Sequence, residues 1–90
     1  MPSYIFDIDY NSDDGVTIIK YHGSDEVVRI PKTISGKPVT KIERYAFAYK
    51  KSLKKVIIPE TVTYIAERAF WQCLYLNAIE YPGNLMDILR

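Results

Sequence analysis

The sequence has little of the chemistry that most enzymes and metal proteins need. It holds one Cys and one His among 90 residues, which excludes an internal disulfide and a metal site built from paired Cys or His. No apolar run approaches the roughly 20 residues that span a bilayer. The first residues show neither a basic start nor an apolar signal segment, and a Gly-rich phosphate loop is missing. We therefore expect no enzyme activity, no metal and no cofactor.

Two weak site patterns remain. Asp9, Asn11 and Asp13 have calcium-loop spacing, but Asp14 and Lys20 stand where such a loop needs Gly and Glu. A solvated hairpin turn explains these residues better. Cys73 and His22 could form a catalytic dyad only by meeting across the fold, and a buried structural thiol is the favoured interpretation.

Tyr is in excess, at 8 of 90 residues. Its ring is apolar and its tip polar, which suits half-buried positions and contact surfaces. The net charge of +1 hides three blocks: residues 1–28 carry six acids and one base, residues 29–55 one acid and nine bases, and residues 56–90 four acids and two bases. Such blocks predict either a polarised surface that steers a charged partner or neighbouring segments that neutralise each other.

The N-terminal residues alternate between apolar and polar side chains, with Tyr4, Phe6, Ile8 and Tyr10 on one face. This alternation is typical of a half-buried strand. The turn-forming residues 11–15 follow, and residues 16–21 then read as the returning strand of a hairpin.

A 23-residue period dominates the rest of the chain. Six residues return 23 positions later as the same residue type: Val39, Thr40, Ile42, Ala46, Phe47 and Leu53 recur as Val62, Thr63, Ile65, Ala69, Phe70 and Leu76. Such a period is typical of stacked coils that cannot bury their apolar face singly. The first coil carries five extra residues around 35–38, which predicts a surface loop. Residues 43–49 and 66–72 read as single helical turns, and Asn84 as the N-cap of a short terminal helix.

The pattern Leu-x-x-Val-x-Ile-Pro-x-Thr-Val-Thr-x-Ile-x-x-x-Ala-Phe of residues 53–70, with Ile-Ser-Gly-Lys-Pro-Val-Thr-Lys-Ile at 34–42, resembles the BspA-type leucine-rich repeats of bacteria and some protists. The resemblance covers residues 25–84. It implies parallel strands on one side of a right-handed coil, with Cys73 facing inward. The expected fold is a β-rich α/β solenoid, a short stack of about two and a half coils with an N-terminal β-hairpin cap. It forms one domain: cap 1–24, repeats 25–83, C-terminal tail or cap 84–90.

That family mostly comprises binding and cell-surface proteins, so the resemblance implies a non-enzymatic protein–protein interaction module. Three settings are open. The chain can be the end of a secreted or cell-surface adhesin array, a small intracellular inhibitor of a host protein (anti-CRISPR-like), or a self-associating unit joined through its C-terminal end. A cytoplasmic location follows if the chain is complete, and a surface location if it is a fragment.

Three groups of residues are candidate contacts. Aligned strands place Arg29, Ile57 and Glu80 in one outward column, with Val27, Lys55 and Ala78 in the next. Trp71 and Tyr75 would share an exposed face if their turn is helical, unless they pack on the tail at Leu85, Met86, Ile88 or Leu89. A basic cluster flanked by Tyr45 and Tyr49 is a weaker candidate for nucleic acid, and its members are Lys50, Lys51, Lys54 and Lys55.

Overall fold

The computed structural model describes residues 5–90. Eight strands follow in chain order: β1 (Phe6–Tyr10), β2 (Val16–Tyr21), β3 (Val27–Arg29), β4 (Thr33–Ile34), β5 (Lys37–Ile42), β6 (Lys55–Ile57), β7 (Tyr64–Ile65) and β8 (Ala78–Glu80). A 3₁₀ helix spans Leu85–Asp87 near the C-terminus. Tyr4, predicted to lie on the inner face of the first strand, falls outside the described residues.

The predicted hairpin is confirmed. Strands β1 and β2 pair antiparallel, with Phe6 opposite Tyr21. The turn between them closes through the Asn11 N–H, which donates to the Gly15 carbonyl at 2.8 Å, and through the Asp13 carboxylate, which accepts from the Gly15 N–H at 3.0 Å. Only one end of the apolar face of β1 is buried: Phe6 is 3% exposed, whereas Tyr10 is 55% exposed.

Two parallel strand ladders run through the molecule. Strands β2, β5 and β7 form one ladder and β3, β6 and β8 the other. The β5–β7 and β6–β8 registers pair residues one sequence period apart, such as Ile42 with Ile65 and Val56 with Ile79, and Val16 pairs with Val39 in the same way. The β3–β6 register pairs Val28 with Val56, one period plus the five extra residues of the first repeat, and a register shift after Val16 adds one residue to the rest of β2–β5. The period therefore sets the register. It also extends to β2, so the second strand of the hairpin is itself a member of the stack.

The core lies between the two ladders and follows the period. Phe47 is fully buried at its centre, its ring stacked on Tyr21 at 5.2 Å and on Phe70 at 5.1 Å between centroids. Phe6 adds an edge contact to Phe47 at 6.4 Å. Stacked rings bury large apolar areas with specific geometry. Inward aliphatic residues from both ladders surround this row: Val16, Ile18, Val28, Val39, Ile42, Val56, Val62 and Ile65.

The prediction of helical turns over 43–49 and 66–72 is wrong, and no residue among 5–90 is in an α-helix. Tyr45, Tyr49, Arg68 and Gln72 have φ of 63°, 62°, 63° and 58°. A left-handed residue at every fourth position breaks the helical hydrogen bonding and replaces it with a series of turns. The predicted inward direction of the Ala and Phe side chains is correct, since Ala46, Phe47 and Ala69 are buried.

These turns form a third ladder between repeats. The N–H groups of Phe47 and Tyr49 donate to the carbonyls of Ala69 and Trp71, both at 2.8 Å. A buried backbone polar group left unpaired is costly, so each turn depends on the turn of the next repeat. The turns are therefore fixed by stacking and not by local helix formation.

The five extra residues of the first repeat form a small hairpin. Strands β4 and β5 pair antiparallel across Ser35 and Gly36, whose φ values of 53° and 76° fit a type I′ turn. Both residues are exposed, as predicted for a surface loop, while Lys37 and Pro38 belong to β5.

The C-terminal tail adds one more backbone pair to the β2–β5–β7 ladder. The Asn84 side chain accepts from the Met86 N–H at 3.0 Å, which confirms it as an N-cap. Leu89 then bridges to Ile65 in parallel, and Ile88 is buried in the core.

Replacing Phe47 by Ala tests the core row. We expect a loss of about 3–5 kcal/mol in the free energy of unfolding, because a fully buried ring with aromatic neighbours leaves a cavity. Urea unfolding followed by circular dichroism measures it. Tyr75→Ala is the control, since Tyr75 is 61% exposed and should change stability by no more than about 0.5 kcal/mol. Equal effects of the two changes would contradict this account of the core.

Candidate interaction surfaces

The outward face of the β3–β6–β8 ladder carries the two predicted columns. The register places Arg29, Ile57 and Glu80 side by side, and Val27, Lys55 and Ala78 in the neighbouring column. Arg29 and Glu80 are exposed, whereas Ile57 is half-buried. Lys55 Nζ lies 2.6 Å from Glu80 Oε2, which links the two columns and neutralises both side chains.

The predicted basic cluster is largely compensated. Lys54 pairs with Glu26 at 3.5 Å and Lys55 with Glu80 at 2.6 Å. The Lys50 ammonium lies 5.3 Å from the centre of the Tyr21 ring, a cation–π contact. Lys51 is exposed. The four lysines therefore do not act as one concentrated positive patch.

Ion pairs between repeats continue along the chain. They support the expectation that neighbouring segments neutralise each other's charge blocks. Three further bases of residues 29–55 meet acids of the flanking blocks: Lys32 with Glu60 at 2.7 Å, Lys37 with Asp14, and Arg44 with Glu67 at 4.0 Å. The hydrogen bond from Lys32 holds the pKa of Glu60 below its usual value. Such exposed pairs stabilise little individually, but they reduce the field that a charged partner meets.

We therefore expect nucleic acid to bind weakly. A fluorescently labelled single-stranded oligonucleotide, titrated at physiological salt and followed by anisotropy, should show a dissociation constant no tighter than about 10⁻⁴ M. Lys50→Glu with Lys51→Glu provides the comparison. Tight, salt-sensitive binding that this variant abolishes would contradict the compensation argument.

Several exposed large apolar and aromatic side chains lie on the turns. We call this surface the turn edge, and it consists of Tyr45, Tyr49, Trp71, Leu74 and Tyr75. Tyr49, Leu74 and Tyr75 are 66%, 65% and 61% exposed, and Trp71 is 38% exposed. Exposed Tyr, Trp and Leu grouped on one edge are typical of contact surfaces.

Backbone bonding holds the turn edge in place. The Tyr49 N–H donates to the Trp71 carbonyl, so the two turns lie side by side. The Arg68 guanidinium lies 5.0 Å from the Trp71 ring centre, which fixes that indole from one side. Trp71 and Tyr75 do not lie one helical turn apart, the condition on which a shared face was expected, because Gln72 is left-handed. The residue bonded to Trp71 on this edge is Tyr49, which the sequence singled out only as a neighbour of the lysines.

The C-terminal tail does not cover Trp71 as it would if Trp71 packed on Leu85, Met86, Ile88 or Leu89. Trp71, Leu89 and Arg90 line the same open depression of about 420 Å³. Ile88 is buried and Leu89 packs on the core, but Met86 is 74% exposed. The tail thus packs mainly on the core and leaves the indole accessible.

Cys73 makes the contacts of a structural residue. Its Sγ–H donates to the Phe47 carbonyl at 2.9 Å, and burial raises the pKa of the thiol. His22 Nε2 pairs with Asp7 at 2.8 Å, away from Cys73. Residues 5–90 hold no group of three or more His, Cys, Asp or Glu side chains placed to bind a metal ion.

Thiol labelling tests the environment of Cys73. At neutral pH we expect alkylation in the folded protein to be slower by about tenfold or more than in urea, because the thiolate that reacts is disfavoured by burial. The folded state favours the neutral thiol, so this contribution to stability is present at neutral pH and is lost as alkaline pH ionises the folded thiol. Equal labelling rates in the two states would contradict a buried thiol.

These features define a class of protein. Parallel strand ladders whose registers follow the sequence period apart from local insertions, with inward apolar residues repeated in each unit, are typical of the leucine-rich repeat fold. A family model described as the BspA type leucine rich repeat region (6 copies) matches residues 12–90. The chain belongs to this family. The match begins before residue 25, where the sequence predicts the repeats to start, and it includes β2, as the strand register does.

Solved structures give the same fold. The T. pallidum leucine rich repeat protein matches with a TM-score of 0.86 and 35% identity over 91% of this chain. A leucine rich cell surface protein from Faecalibacterium prausnitzii A2-165 matches with a TM-score of 0.84 and 30% identity over the whole chain. A leucine-rich repeat protein from Bacteroides capillosus ATCC 29799 matches with a TM-score of 0.79 and 22% identity over 89% of it.

This chain spans 39%, 25% and 63% of those three proteins, in the same order. No curated protein matches it. Within residues 5–90, none of the helices has the length and apolar character to cross a membrane.

Proposed function

We propose that this chain is a protein-recognition module and that the turn edge is its main contact surface. The observation that carries the proposal is the exposure of large side chains at Tyr49, Trp71, Leu74 and Tyr75, on turns whose backbones are bonded to each other at Tyr49 and Trp71. Trp and Tyr dominate the energetics of many protein interfaces. Leucine-rich repeats typically serve protein interaction and are generally non-enzymatic, in agreement with this role.

The turn edge is better suited to this role than the strand columns. On the strand face, Lys55 and Glu80 already satisfy each other at 2.6 Å, and its apolar side chains, the exposed Val27 and the half-buried Ile57, include no aromatic ring. On the turn edge, the bond between Tyr49 and Trp71 fixes the main chain that carries these two aromatic residues before binding. Preorganised contacts lose less entropy on association.

A cell-surface setting is the second part of the proposal. One solved relative is a leucine rich cell surface protein, and this chain spans a quarter of its length. We propose that recognition through the turn edge takes place in such a surface protein, with an intracellular inhibitor of a host protein as the alternative setting. Both settings use the same contact surface, so the test below does not depend on which applies.

Tyr49→Asn combined with Tyr75→Ser tests the turn edge. Asn tolerates the left-handed backbone at position 49, so stability should change by no more than about 0.5 kcal/mol. The biotinylated protein is cross-linked in bacterial cell-envelope and cytosolic extracts and recovered on streptavidin. Mass spectrometry then identifies the proteins bound to it. We expect proteins captured by the native chain to be lost in this variant.

Tyr10→Ser is the matched control, because Tyr10 is 55% exposed but lies on β1, away from the turn edge. It should retain the native set of captured proteins. An unchanged set in the double variant, or a loss caused equally by Tyr10→Ser, would overturn the assignment of the contact surface.

A further inference from the structure

A groove follows the carboxyl ends of strands β3, β6 and β8. Two adjoining depressions, of about 340 and 270 Å³, share Ile57, Ile58 and Pro82 in their lining. Pro31 and Pro59 line the first of them. We call this feature the proline groove, defined by Arg29, Pro31, Ile57, Pro59 and Pro82.

The floor of the proline groove offers almost no hydrogen-bond donors. Proline has no backbone N–H, and the N–H groups of Ile30 and Ile58 are already engaged with the carbonyls of Ile57 and Glu80 at 2.9 and 2.8 Å. The floor is therefore an apolar surface, and a ligand must place an apolar group against it.

One charge in the groove lacks a counterion. Lys32 and Glu60 on the rim satisfy each other at 2.7 Å, and Glu80 is satisfied by Lys55 at 2.6 Å. Among residues 5–90, no carboxylate lies within ion-pair distance of the exposed Arg29 guanidinium. The groove thus presents one uncompensated positive charge beside an apolar floor.

We propose that the proline groove binds an extended peptide segment of a partner protein that carries a carboxylate two residues before an aliphatic side chain. A guanidinium and a carboxylate form two parallel charge-assisted hydrogen bonds. Neighbouring strands lie about 4.8 Å apart and alternate residues of an extended peptide about 6.6 Å apart. A carboxylate at Arg29 therefore places the aliphatic group over Ile57 and Pro82.

This site is separate from the turn edge and does not depend on it. The groove lies on the β3–β6–β8 ladder, whereas Tyr49, Trp71 and Tyr75 lie on the turns that follow β5 and β7. A partner can engage either surface alone.

The probe is the synthetic peptide acetyl-Gly-Ser-Asp-Thr-Leu-Ser-Gly-amide, titrated into ¹⁵N-labelled protein and followed by NMR. We expect saturable shifts of the amides of Arg29, Ile57 and Glu80. Replacing the peptide Asp by Asn, or its Leu by Ser, should weaken binding by about fivefold or more, since each change removes one of the two recognised groups.

Arg29→Ala should weaken binding of the probe by about tenfold without affecting the fold, because the side chain is exposed. Lys51→Ala is the matched control, an exposed base on the turn segment, and should bind as the native chain does. Absence of shifts at millimolar peptide, equal affinity for the Asn peptide, or shifts centred on Tyr49 and Trp71 would overturn the proposal.

Discussion

Backbone hydrogen bonds between residues one repeat apart form three ladders in this molecule: the strands β2–β5–β7, the strands β3–β6–β8, and the turns around Phe47 and Ala69. No repeat could bury its apolar residues alone, because each contributes only a few inward side chains. Stacking places like residues over one another, and the ring of Phe47 packs between Tyr21 and Phe70 as a result. Core packing and surface arrangement both follow from this register.

The sequence predicts the parts of the fold that depend on the period. The period aligns Ile57 with Glu80, the period plus the five extra residues of the first repeat aligns Arg29 with Ile57, and the repeat pattern identifies the inward residues Ala46 and Phe47. It does not predict the turn conformation. Left-handed backbone is normally signalled by Gly or Asn, whereas the left-handed positions in the turns of 43–49 and 66–72 hold Tyr, Arg and Gln. Backbone hydrogen bonds to the next repeat stabilise these positions. The sequence of one segment does not reveal such bonds.

The candidate surfaces were harder to predict for a related reason. Counting charges finds the basic block of residues 29–55 but not the acids that compensate it, since Glu26, Glu60 and Glu80 reach it only through stacking. The sequence left open whether Trp71 and Tyr75 face outward or pack on the tail, and both are exposed. The role of Tyr49 was missed, because its proximity to Trp71 arises from the turn ladder.

The turn ladder orders the backbone of the turn edge, the surface that we propose for partner binding. Amide hydrogen exchange measured by NMR tests it most directly. The account predicts that the amides of Phe47 and Tyr49, which donate across the turns, exchange as slowly as the amide of Ile58, which donates to the Glu80 carbonyl in the strand ladder. Exchange of Phe47 and Tyr49 at the rate of an unstructured peptide, with Ile58 still protected, would show that the turns are not held by the neighbouring repeat and would contradict the account.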